Sequence, residues 1–64
     1  MSFNMNIPTI IYVYFTNGQK KIVDYQDDLT LDMANQIKDK YDTAIKITLE
    51  DSNGSVYKTF YTSS

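Results

Sequence analysis

TIIYVYFTNGQKKIVDY, Thr9 to Tyr25, places Asn17-Gly18 between two runs rich in Ile, Val, Tyr and Lys. IKITLEDSNGSVYKTFYT, Ile45 to Thr62, does the same around Asn53-Gly54. Asn-Gly supplies the backbone freedom that a tight reversal needs, and β-branched or aromatic runs on either side make it the strongest local sign of a β-hairpin. Two hairpins are therefore expected. The register of the first is open: a two-residue loop pairs Val13 with Ile22, whereas a three-residue loop with a bulge at Gly18 pairs Ile11 with Val23 and Tyr12 with Ile22.

Between the hairpins the apolar period changes. Met33, Ala34, Ile37 and Tyr41 recur at spacings of three and four, while Asn35, Gln36, Lys38, Asp39 and Lys40 take the other side. That is an amphipathic helix of about three turns. Thr30 can cap its first turn, Asp32 suits the positive end of its dipole, and Lys38 and Lys40 suit the negative end. Ile45, Ile47 and Leu49 then alternate with Lys46, Thr48 and Glu50, a strand with one buried and one wet face. In the last strand Tyr57, Thr59 and Tyr61 oppose Val56, Lys58 and Phe60.

The expectation is an α+β fold in one small domain. Residues 9–62 form a ββαββ unit, a four-stranded sheet with the helix on one face, after a flexible segment over residues 1–8. Ile11, Val13, Phe15, Val23, Met33, Ala34, Ile37, Tyr41, Ile45, Ile47 and Leu49 are its expected core. This hairpin, helix, hairpin order resembles that of the β-grasp folds, and the size is similar to the small immunoglobulin-binding domains of streptococcal surface proteins. The resemblance covers element order from Thr9 to Thr62, so it implies a fold and transfers no binding residues.

Composition narrows the function. The 64 residues include no Cys and no His, which removes disulfides, Cys/His metal sites and the usual nucleophilic triads. No cofactor and no catalytic residue is assigned, and the chain reads as a non-enzyme. Asp24, Asp27, Asp28 and Asp32 cluster before the helix, but turn formation and capping account for them, and an EF-hand spacing is missing. The longest apolar run, Ile10 to Phe15, is too short to cross a bilayer. A net charge of −2 argues against general nucleic-acid binding. Lys20 and Lys21, adjacent on a strand, point to opposite faces and form no single patch. A single-stranded nucleic-acid module is the third reading.

Six tyrosines carry most of the functional content. Tyrosine has high β-propensity, yet so many phenols exceed what a small core can satisfy. A sheet face with Tyr12, Tyr14 and one of Tyr57 or Tyr61 is the expected protein-binding surface, since Tyr brings wide contact at little entropic cost. The first reading is thus a protein-binding module. The all-Lys cations and the wealth of Ile, Asn and Tyr suit AT-rich coding, hence a phage or mobile-element product in a bacterial cytoplasm that occludes a host defence or enzyme complex. The second is a self-assembling structural or accessory protein. Homodimerisation, or a higher homo-oligomer, would serve both.

Overall fold

The computed structural model describes residues 7–62. Most of the expected N-terminal segment, residues 1–6, lies outside them. Four strands and one helix follow in the order β1 (Ile10–Phe15), β2 (Lys20–Asp24), α1 (Leu31–Lys40), β3 (Ala44–Glu50) and β4 (Val56–Tyr61). They build one antiparallel sheet ordered β2-β1-β3-β4. The fold is α+β, with the ββαββ order read from the sequence.

β2 and β3 both run antiparallel to β1, so they are parallel to each other with β1 between them. The segment joining them contains α1 and passes across one face. The central pair, β1 with β3, is antiparallel, whereas a β-grasp sheet sets its first and last strands side by side and parallel. The resemblance stops at element order.

Both hairpins close by one device. Gly18 N–H donates to Phe15 O at 3.1 Å and Phe15 N–H to Gln19 O at 2.9 Å; Gly54 N–H donates to Asp51 O and Asp51 N–H to Ser55 O, each at 3.1 Å. Three residues form each loop, and the glycine at its end takes φ of +85° or +88°. That left-handed backbone is the reason for glycine. Tyr12 consequently faces Ile22, the three-residue register, but Ile11 faces Asp24 and not Val23, because Val23 is an extra, bulged residue.

Ile11, Val13, Leu29, Ala34, Ala44, Ile47 and Leu49 are buried, with Phe15, Val23, Met33, Ile37, Tyr41 and Phe60 packed around them. Ile45 corrects the expected core. Tyr14 faces Lys46 and Phe15 faces Ala44, so Ile45 is skipped by the ladder and left exposed, while Ala44 takes the inward position. Leu29 joins the core from the link before the helix. Thr30 caps α1, its Oγ1 accepting from Met33 N–H at 3.2 Å. Tyr41 meets Phe15 edge-on with ring centroids 6.3 Å apart.

Candidate functional site

The helix covers one face of the sheet, and no described element packs on the other. Residues facing one another across a ladder share a face, so the register lays out this second face in rows. Lys20, Tyr14, Lys46 and Tyr61 form one row across all four strands; Ile22, Tyr12, Thr48 and Thr59 form the next; Ile10, Glu50 and Val56 form a third.

The rows are tied together through Glu50. Its residue is only 1% exposed although it carries a charge on the face without a helix. Oε2 accepts a hydrogen bond from Tyr14 Oη and one of 2.7 Å from Thr48 Oγ1, while Lys20 Nζ stands 3.4 Å from Oε1. Burial pushes the Glu50 carboxyl up; the hydrogen bonds from Tyr14 and Thr48 and the Lys20 charge outweigh it, leaving it below the ordinary range. Burial, then the bond to Glu50, raises the Tyr14 phenol. Burial lowers the Lys20 ammonium, but the charges and hydrogen bonds of Glu50 and Tyr14 together more than reverse that.

Lysines brace the rings. Lys20 Nζ lies 4.2 Å from the centroid of Tyr12, and Lys46 Nζ 4.6 Å from that of Tyr14, within cation–π reach. Tyr12 and Tyr14 sit at 6.5 Å and 51° to each other. Tyr14 is thereby fixed from beneath and from two sides, and Tyr12 is half-buried beside it. Lys21 is on the opposite face from Lys20, over the Tyr41 ring at 5.3 Å.

Of the four candidate tyrosines, the register unites three, Tyr61 being the one of the last pair that joins Tyr12 and Tyr14. Tyr12, Tyr14 and Tyr61 share the uncovered face. Tyr57 departs from the expected row: Glu50 faces Val56 and Leu49 faces Lys58, so Tyr57 is the skipped residue of a bulge. Its Oη donates to Asp51 Oδ2 at 3.3 Å. Asp51 also accepts from Asn53 and Ser55 N–H at 2.8 and 3.0 Å, so Tyr57 leans on the side chain that shapes the second turn.

Lys46, Thr48 and Glu50 were read as the wet side of β3, with no role for Glu50. The signal for it is the cross-strand register, which puts Tyr14 and Lys20 within reach of Thr48 and Glu50. Among the described residues no three carboxylates converge on a common point. Asp28 is engaged with Lys58 at 2.9 Å, a bond that lowers its carboxyl, and Asp32 lies in the first turn of α1. Among the described residues no helix is long and apolar enough to cross a membrane. A groove between α1 and β2 has an apolar lining of Ile11, Val23, Met33 and Ile37 with Asp24 and Lys40 at its rim. Set against known proteins, the chain matches no family model, no curated protein and no solved structure.

Proposed function

We propose that this chain is a non-catalytic binding module that docks a partner protein on the uncovered sheet face. The observation that carries the reading is the bank of Tyr12, Tyr14 and Tyr61, with Ile22, held over a buried Glu50 on a face that no helix covers. Rings fixed in advance lose little freedom on binding, which is how aromatic anchors come to dominate an interface. Glu50, Thr48 and Lys20 act from below as positioning residues. The composition supports the narrower reading, an inhibitor of phage or mobile-element origin that works in a bacterial cytoplasm by occupying a host protein's surface.

Tyr12→Ser and Ile22→Lys test this. Each leaves β4 and the Glu50 bonds in place, and each is expected to weaken capture of the partner by about 30-fold, the loss of an anchor of about 2 kcal/mol. Gln36→Ala, on the helix, should leave capture unchanged. Equal capture by all variants would remove the face from consideration.

Single-stranded nucleic acid is a second reading with one observation in its favour: Lys20 and Lys46 flank Tyr14 on the same face, a pairing of cations and stacking rings. Against it, Glu50 already engages Lys20, and the chain is acidic. Binding of an oligonucleotide that falls steeply with salt would favour this reading over the protein partner.

A further inference from the structure

Leu31, Val56, Tyr57 and Tyr61 are large, apolar or aromatic, and 50–76% exposed, and all four lie on or beside one edge of the sheet. That edge is β4. Thr62 N–H donates to Ile45 O at 2.9 Å, and alternation along an antiparallel strand then directs the backbone groups of Phe60 and Lys58 toward β3 and those of Thr59 and Tyr61 outward. Past the Tyr57 bulge, residues 58–62 run regularly and contain no proline. Their one charge, Lys58, is drawn to the helix side by Asp28 at 2.9 Å and the Leu29 carbonyl at 3.2 Å.

The opposite edge is built differently. β2 has five residues, three of them Lys20, Lys21 and Asp24, and it is bulged at Val23. Short length, charge and bulges are the devices that keep an edge strand from pairing. From residue 59 onward β4 carries neither charge nor bulge.

We propose that β4 pairs antiparallel with β4 of a second copy, about a two-fold axis at Phe60, so that two sheets become one of eight strands. The outward groups of Thr59 and Tyr61 stand symmetrically on either side of Phe60, which makes this edge its own complement: Thr59 of each copy exchanges hydrogen bonds with Tyr61 of the other. On the helix side, Phe60 and Leu31, which already line a common groove between α1 and β4, gather with their counterparts at the seam. Charge fits a second copy as well. Lys58 is matched by Asp28 of its own chain, so closure sets no unpaired like charges against each other. The proposal shares only Tyr61 with the partner face, because the pair leaves Tyr12, Tyr14 and Ile22 uncovered in both copies.

Light scattering across a dilution series, with amide hydrogen exchange on the same samples, tests it. The expected mass is twice 7.4 kDa, falling two-fold on dilution, with the Thr59 and Tyr61 amides protected only in the heavier species. Thr59→Pro is expected to give the monomer mass with an unchanged circular dichroism spectrum, since it removes an N–H that β3 does not use. Tyr61→Lys, at a largely exposed position, should do the same and decides the matter where the proline disturbs the strand. Tyr12→Ser stays dimeric. A wild-type chain that is monomeric at every concentration, a dimer that survives both edge variants, or one lost with Tyr12→Ser would each overturn the proposal.

Discussion

Glu50 is a charged residue placed where a one-sided sheet has no layer to hide it, and its neighbours supply the cover. Its folded carboxyl is held below the ordinary 4.5, so it contributes stability that is present above that value and is lost as pH falls through the lower folded value. Urea denaturation from neutral pH downward should therefore show stability declining below about pH 4.5, with a shallower decline in Glu50→Gln. Identical pH profiles for the two proteins would mean the carboxylate does not feel its partners. Glu50→Ala leaves the Tyr14 and Thr48 hydroxyls without their acceptor and is expected to cost about 3 kcal/mol, as hydrogen bonds to a charged group do. Tyr14 has the opposite sign: its phenol is raised, so its contribution is full below pH 10 and is lost as pH rises through the folded value. In an ultraviolet titration Tyr14→Phe should delete a late-ionising phenol, not an ordinary one.

At the scale of elements the two loops and the helix cap are local devices, and local devices are what a sequence displays. Gly54 has open space where a Cβ would stand, so Gly54→Ala carries only the cost of its positive φ, about 1 kcal/mol by thermal denaturation. Thr30→Ala should cost a similar amount through the lost cap. Leu29→Ala is expected to cost more than either, about 3 kcal/mol, because the side chain is fully buried. Asn-Gly pairs and the three-and-four period marked both turns and α1 because those signals lie within a few residues of one another. Leu29 was not legible: it follows an acidic link and precedes the first periodic residue, and only the return of the chain across the sheet buries it. Ile45 and Tyr57 were misplaced, and Val23, rightly read as core, lost its pairing with Ile11, for one shared reason, a bulge at each, and bulges depend on pairing with a strand elsewhere in the chain. The tyrosine face was legible in part, since Tyr12 and Tyr14 alternate on a single strand whose inward row lacks hydroxyls. Their union with Tyr61 and Glu50 required the strand order.

Viewed as a whole, the molecule has one layer of helix on one layer of sheet, and a chain of 64 residues at 0.05–0.15 kcal/mol per residue holds a stability of about 3 to 10 kcal/mol. Ile47, fully buried on a central strand, anchors that layer, and Ile47→Ala is expected to remove about 3 kcal/mol, enough to leave much of a dilute sample unfolded. Pairing along β4 acts on the same balance, because a partner that binds only the folded chain stabilises it in proportion to the logarithm of its concentration, by about 2.7 kcal/mol at a hundredfold excess over the dissociation constant. The melting temperature of the wild-type chain should therefore climb with protein concentration, and concentrated Ile47→Ala should regain much of the folded signal that it loses on dilution. Circular dichroism melts over the dilution series read both effects. Combining Ile47→Ala with Thr59→Pro should abolish the recovery while adding little further loss in dilute solution, since the outward N–H of Thr59 does nothing for the isolated monomer. Melting temperatures that stay constant with concentration would show that the one-sided sheet stands on its own core, and that the β4 edge contributes nothing to keeping the chain folded.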